Sequence, residues 1–98
     1  MNIFEKIIAG EIPAEKLYED DLVIAINDIA PAAPVHILII PKENITSVAE
    51  IDKSNSAVIA RVFEVARRLA EEFHLENGYR IITNVGADGG QTVPHLHF

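Results

Sequence analysis

The chain has 98 residues, a formal net charge of −7 and no cysteine. This length corresponds to one domain, residues 1–98, with a single small core. The acidic balance argues against a surface that binds nucleic acid or anionic membranes, because both require clustered Lys and Arg. The lack of cysteine excludes disulfides and thiolate catalysis. Together with an N-terminus that has no signal-peptide pattern, it predicts a cytoplasmic protein.

The first 26 residues predict a short helix and a β-hairpin. Asn2 is suited to cap the helix. The apolar face of this helix consists of Ile3, Phe4, Ile7 and Ile8. Residues 15–19 and 22–26 have strand patterns, and Asp20-Asp21 between them favours a tight turn. The two strands should therefore be antiparallel.

A proline-containing loop and the most apolar strand pattern follow. Residues 27–34 contain two prolines, which fix φ and remove hydrogen-bond donors, and therefore predict a loop. His36–Ile40 is apolar after its first residue, which predicts a strand in the middle of the sheet. Pro41 should end this strand.

The second half of the chain predicts one long helix and another strand. Residues 45–51 are consistent with a single helical turn. From Ser54 or Ser56 to Glu76, apolar residues recur at helical spacing, and Asn77-Gly78 is a stop signal. Tyr79–Thr83 predicts a fourth strand.

The predicted order of elements is a short helix, three strands, a long helix and two strands, the last beginning at His95. Short connections between strands, with the helices gathered on one side of the sheet, predict an α+β domain with an antiparallel five-stranded sheet. Residues 84–90 form a glycine-containing loop from strand to strand. They lack the Gly-x-x-x-x-Gly-Lys spacing of a P-loop.

Three histidines, His36, His95 and His97, lie in strand patterns. Side chains alternate along a strand, so His95 and His97 share one face with Cα atoms about 6.5 to 7 Å apart, while Leu96 and Phe98 face the core. If the strand from His36 lies nearby, three imidazoles converge on one pocket. Neutral imidazole is a nucleophile and general base, and its protonated form binds phosphate. A zinc site on the same three histidines, or a purely structural His-x-His pair, stays open.

Other residues are suited to complete an anion and nucleoside site. The glycines at 86, 89 and 90 let backbone N–H groups approach an anion, and Gln91 and Thr92 add neutral donors. Asp28 can accept hydrogen bonds from sugar hydroxyls, or alternatively form a turn. Apolar residues that can line a slot for a flat ring, or else belong to the core, are Ile3, Phe4, Ile7, Ile26 and Ile29.

Three segments occur in a recognisable order: Asp28–His36, Ile39–Lys42, and Asn84–Phe98, in which Gly-Gly-Gln-Thr precedes His-Leu-His-Phe. Together they closely resemble the histidine triad (HIT) family, nearest its Hint branch. The resemblance implies a homodimer with a pocket for a purine nucleotide such as AMP. It further implies hydrolysis or transfer at the nucleotide α-phosphate, typically of adenosine 5'-monophosphoramidate, without a metal or cofactor.

The resemblance implies a role for each matching residue. His97 matches the nucleophile that forms a nucleotidyl-histidine intermediate, His95 the first histidine of the motif, and His36 an additional supporting histidine. Asp28 matches the ribose-binding acid. Residues matched around the phosphate and leaving group are Asn84, Gly90, Gln91 and Thr92. Residues matched to the base pocket are Ile3, Phe4, Ile7, Ile26, Ile29 and Leu38.

The family motif His-φ-His-φ-His contains a third histidine, and this sequence contains the first two. A carboxylate on Phe98 beside His97 should favour the protonated imidazole over the neutral nucleophile. We therefore expect a C-terminally truncated HIT-like domain that folds but is catalytically weakened. The alternative is a nucleotide-binding or interaction module with weak or lost catalysis.

Overall fold

The fold consists of a three-stranded antiparallel sheet between two helices. The elements are α1 (Ile3–Ile8), β1 (Lys16–Glu19), β2 (Val23–Asn27), β3 (Ile37–Pro41), a 3₁₀ turn (Val48–Glu50) and α2 (Ala57–Glu72). This computed structural model describes all 98 residues. The strand order is β1-β2-β3, with both pairs antiparallel. The short and long helices and the α+β class are as predicted.

Strand β2 is the middle strand and is buried on both faces. Val23 and Ala25 join the apolar cluster under α2, whereas Ile24 and Ile26 join the cluster under α1. A strand that is apolar on both sides needs cover on both, so the two helices lie on opposite faces of the sheet. The predictions that β3 is central and that the helices lie on one side are wrong.

The predicted hairpin between β1 and β2 is confirmed, and Asp20 organises its turn. One carboxylate oxygen accepts hydrogen bonds from the N–H groups of Leu22 (2.7 Å) and Val23 (3.0 Å). The other accepts from the Tyr18 hydroxyl (2.7 Å) and from Arg61 of α2 (2.6 Å). Burial raises the pKa of Asp20, but these hydrogen bonds outweigh it and hold the pKa well below its ordinary value.

Helix α2 buries the predicted apolar stripe but ends at Glu72, earlier than the predicted Glu76. His74 adopts a left-handed conformation (φ 57°), and the N–H of Leu75 donates to the carbonyl of Ala70 at 2.9 Å. This geometry is a Schellman motif, in which glycine usually takes the left-handed position, so a histidine there hides the stop from sequence inspection. Neither helix combines the length and apolar character that crossing a bilayer requires.

The chain after α2 consists of turns and segments without regular secondary structure, and the prediction of five strands is wrong. The predicted strands at Tyr79–Thr83 and at His95 do not form regular ladders. Phe98 exchanges two backbone hydrogen bonds with Ile39 of β3 (2.9 and 3.0 Å), and the Thr83 hydroxyl donates to the carbonyl of His97 (2.7 Å). A strand requires consecutive pairing along a neighbouring backbone, and these isolated contacts do not supply it.

Candidate active site

A cavity of about 400 Å³ lies among β3, α2 and residues 79–84. This size falls within the range of about 300 to 1,000 Å³ that is typical of small-molecule sites. Apolar side chains from β3 and α2, among them Ile37, Leu38 and Leu69, form much of its lining. Its polar and charged lining residues are Asp28, His36, Tyr79, Arg80, Asn84 and His97. The predicted site residues that reach this cavity are therefore Asp28, His36, Leu38, Asn84 and His97.

Asp28 and His36 are held next to each other by the two ends of the proline loop. The N–H of Asp28 donates to the carbonyl of His36 (3.0 Å), which extends the pairing of β2 with β3. The N–H of Ala32 donates to Nδ1 of His36 (3.0 Å), so the neutral ring carries its hydrogen on Nε2. This Nε2 lies 3.4 Å from Oδ2 of Asp28, while Oδ1 accepts from the N–H of Ala30. The loop therefore fixes both side chains at the cavity.

His97 presents one ring nitrogen that the protein does not use. Its Nδ1 lies 2.7 Å from the carbonyl oxygen of His95 and must donate to it, since a carbonyl only accepts. The neutral ring then has a lone pair on Nε2. The ring packs edge-on against Phe4 with centroids 4.9 Å apart. Its tautomer and its place at the cavity suit a nucleophile or general base.

His95 is enclosed and has both ring nitrogens occupied. Its exposure is 0%, and the centroid of its ring lies 5.9 Å from that of Phe4. Nε2 lies 2.8 Å from the carbonyl oxygen of Pro41, and Nδ1 lies 3.2 Å from the side-chain nitrogen of Asn2. His95 and His97 share a side of the tail, as predicted, but only His97 lines the cavity. The expectation that both imidazoles contact one anion stays a prediction without support from this geometry.

The side-chain amide of Gln91 links the glycine loop to neighbouring backbone. Its Oε1 accepts from the N–H of Gly86 (2.9 Å), and its Nε2 donates to the carbonyls of Thr46 (2.7 Å) and Val93 (3.0 Å). Both ends of the amide are thus bonded to the protein. Gln91 and the loop lie outside the cavity lining apart from Asn84, so a direct contact of Gln91 with a ligand stays a prediction.

The conformation of the glycine loop accounts for two of its glycines. A Cβ at position 89 would lie 2.5 Å from the carbonyl oxygen of Val85, so only glycine fits there. Gly90 has φ +79°, a left-handed value that favours glycine. Thr92 is exposed. Neither Gly90 nor Thr92 lines the cavity, and their contacts with a phosphate also stay predictions.

The residues predicted to bind a base divide into three environments. Phe4, Ile7 and Ile26 are buried in the cluster between α1 and the sheet, which corresponds to the alternative core role. Ile3 is exposed, and Ile29 is 98% exposed at the tip of the proline loop. Only Leu38 lines the cavity. The apolar wall of the cavity beside Leu38 is formed by residues outside the predicted set, such as Ile37 and Val35.

Sequence inspection did not predict the positions of two residues at the site, Arg80 and Phe4. Arg80 is the one Lys or Arg in the cavity lining, and it provides a positive charge for an anionic ligand. It lies in a segment whose pattern predicts an ordinary strand, and this pattern does not indicate a ligand-binding role for Arg80. Phe4 contacts both imidazoles, whereas sequence inspection assigned it to a base pocket. Phe4 lies two residues after the helix cap Asn2, and this position does not predict a contact with residues near the other end of the chain.

The zinc alternative does not fit the arrangement of the histidines. Both ring nitrogens of His95 have partners within the protein, so His95 has no donor left for a metal shared with His36 and His97. No group of three His, Cys, Asp or Glu residues is placed to hold a metal ion. Coordination by these three histidines would require His95 to lose at least one of these two hydrogen bonds.

Residues 9–98 match the HIT domain family. An uncharacterized HIT-like protein of Synechococcus elongatus is 47% identical over 95 residues, covering 97% of this chain and 83% of the relative. The solved structure of a HIT family hydrolase from Clostridium thermocellum has a TM-score of 0.96 and 52% identity, covering 98% of this chain and 84% of that one. The solved structure of a histidine triad nucleotide-binding protein from Candida albicans has a TM-score of 0.88 and 33% identity. The match covers 99% of this chain and 71% of that one.

Proposed function

The chain belongs to the HIT domain family, and we propose that it is a hydrolase or transferase acting at the α-phosphate of a purine nucleotide conjugate. The substrate class is that of adenosine 5'-monophosphoramidate, as in the Hint branch. The observation that carries the proposal is the state of His97, which lines the cavity with Nδ1 donating to a carbonyl and Nε2 left as a free base. The similar Clostridium thermocellum protein, described as a hydrolase, and the nucleotide-binding Candida albicans protein support the reaction and ligand class.

The reaction proceeds in two steps. Nε2 of His97 attacks the α-phosphorus and forms a bond to it, the P–N bond to the leaving group breaks, and the departing amine takes up a proton from solvent. Water then attacks the nucleotidyl-histidine, which releases AMP and regenerates the imidazole. Arg80 stabilises the charge on the phosphoryl oxygens. His36, which carries a hydrogen on Nε2, lies in the same cavity.

The nucleoside occupies the rest of the cavity. Oδ2 of Asp28 accepts hydrogen bonds from the ribose hydroxyls, because its other oxygen is already bonded to the backbone of the proline loop. The base packs on the apolar wall that includes Leu38. Asn84 adds a neutral polar group to the lining. No step of this scheme requires a metal.

The proposal is tested by measuring AMP release from adenosine 5'-monophosphoramidate in the presence of a chelator. We expect His97→Ala to lower turnover by about 10³-fold or more, as for loss of a covalent nucleophile. The matched control is His74→Ala, because His74 is exposed at the end of α2 and lies outside the cavity lining. It should retain full turnover.

Trapping distinguishes covalent from direct hydrolysis. Rapid acid quench with a labelled substrate should yield a nucleotidyl adduct on His97 and none in the alanine variant. Equal AMP release by the wild type and by His97→Ala would contradict the proposal. Nucleotide binding without turnover that depends on His97 would favour the binding-module alternative.

We further propose that the protein forms a homodimer. Large apolar residues outside the cavity lining remain exposed on α2 and on the segment that follows it, including Phe63 and Val85. An assembly that covers them removes apolar surface from water. Light scattering should then give twice the chain mass of 10.8 kDa. The cytoplasmic location stays a prediction from composition.

A further inference from the structure

The side chain of Asn2 joins the start of α1 to the tail. Its Oδ1 accepts from the N–H of Glu5 (2.8 Å), and the Glu5 carboxylate accepts from the N–H of Asn2 (3.0 Å), which completes a capping box. This cap fixes the orientation of the amide, because the oxygen must face the helix. The nitrogen is therefore the atom that meets Nδ1 of His95 at 3.2 Å.

This orientation selects one tautomer of His95. The amide nitrogen of Asn2 only donates, so Nδ1 of His95 must accept and carries no hydrogen. The carbonyl of Pro41 only accepts, so Nε2 carries the hydrogen. The two partners lie on opposite sides of a fully buried ring, and they fix its rotation as well as its protonation. Packing of the ring alone would fill this space in the core but would fix neither its rotation nor its protonation.

The constraint passes from His95 to His97 through the backbone. The carbonyl of His95 is the acceptor that holds the hydrogen of His97 on Nδ1, at 2.7 Å. Phe4, in the first turn of α1, packs edge-on against both rings. The N-terminal turn therefore contacts His95 by hydrogen bonding and His97 by packing.

We infer that Asn2 is a positioning residue for the His97 nucleophile. It holds His95 in the tautomer and rotation that place the His95 carbonyl against Nδ1 of His97, and so it keeps Nε2 of His97 free. The inference rests on the proposed function for its effect on turnover. The tautomer relation itself does not depend on any activity.

The test compares Asn2→Asp with Asn2→Ser. Both substitutions retain an oxygen that accepts from the N–H of Glu5, and Asp and Ser are N-cap residues of similar strength to Asn. The new carboxylate accepts hydrogen bonds but cannot donate to Nδ1 of His95, whereas the serine hydroxyl is too short to reach that atom. Asn2→Asp therefore demands a hydrogen on both nitrogens of His95, and Asn2→Ser leaves Nδ1 without a donor.

Ring nitrogen NMR spectra distinguish nitrogens with and without hydrogen. We expect His95 of the wild type to show hydrogen on Nε2 only, and Asn2→Asp to add a hydrogen on Nδ1 and to shift the signals of His97. Both variants should lower kcat by about tenfold with KM within about twofold, since misplacement of a reacting group mainly affects the chemical step.

Asn44→Ser is the matched control. Asn44 donates to the other oxygen of Glu5 (3.3 Å) but does not contact His95, so this substitution perturbs the cap without reaching the tail. It should leave the His95 and His97 spectra and kcat unchanged. Wild-type signals for both histidines in Asn2→Asp, or a fall in kcat equal to that of Asn44→Ser, would overturn the inference. A wild-type chain without turnover whose His97 signals still change in Asn2→Asp would contradict the proposed function and support the positional link.

Discussion

His95 and His97 lie two residues apart, share a side of the tail and contact the same ring of Phe4, yet their imidazoles have different surroundings. His95 is fully buried with a partner on each nitrogen, whereas His97 has one partner and lines a cavity. The comparison shows that residue type and strand face do not decide the role of a histidine. The number of ring nitrogens that the protein itself occupies decides whether one remains for a ligand.

Removing each imidazole separately and measuring unfolding in urea should show the largest difference between the two histidines. We expect His95→Ala to lower the free energy of unfolding by about 3 kcal/mol, because it leaves a cavity and removes the partner of Asn2. His97→Ala should lower it by only about 1 kcal/mol, since it removes packing on Phe4 and one hydrogen bond, although the proposed mechanism predicts a large loss of turnover. Equal losses of stability would show that the two histidines share a structural role.

Asp20, like His95, has partners for all its polar side-chain atoms and lies outside the cavity lining. Asp20→Asn should lower the free energy of unfolding at pH 7 by about 2 kcal/mol, through loss of the charged hydrogen bonds to Tyr18 and Arg61. AMP release should be unchanged.

The pH dependence of this effect has a definite sign. Because folding depresses the pKa of Asp20, its contribution is complete above the ordinary carboxyl pKa of about 3.9 and is lost as the pH falls toward the folded pKa. Thermal melts of wild type and Asp20→Asn should therefore converge as the pH is lowered below about 4. A constant gap between the two curves would contradict the assignment.

His74 provides the smallest expected effect. It is exposed, lies outside the cavity lining, and takes the left-handed position that ends α2. His74→Gly should raise the free energy of unfolding by about 0.5 kcal/mol, because relief of the left-handed strain slightly exceeds the added freedom of the unfolded chain. Turnover should not change. A destabilised variant would indicate that the His74 side chain contributes contacts of its own.

Sequence reasoning succeeded where a structure depends on nearby residues. The Asn2 cap, the hairpin at Asp20 and the apolar stripe of α2 are set within a few positions along the chain, and all three are present. The shared face of His95 and His97 follows from the same local alternation. Residue chemistry had already marked Asp28 and His36 as candidates, and family resemblance added Asn84; all three line the cavity with His97.

The predictions that were wrong depend on which segments of the chain pair with each other in the fold. The pattern of Tyr79–Thr83 is that of a strand, but a strand also needs a paired backbone, and the tail offers only the contact between Thr83 and His97. The choice of β2 over β3 as the middle strand depends on the order in which strands pair. Neither the missing partner of residues 79–83 nor the strand order can be predicted from a short stretch of sequence.

The two helices, the hairpin, the family and the candidate nucleophile could all be predicted from the residues of the chain. The burial of His95, the packing of Phe4 on both imidazoles and the place of Arg80 at the cavity became visible only in the folded chain. The reason is that a side chain's burial and hydrogen-bond partners come from distant parts of the chain. Asn2 and Pro41, which set the state of His95, are 93 and 54 residues away from it.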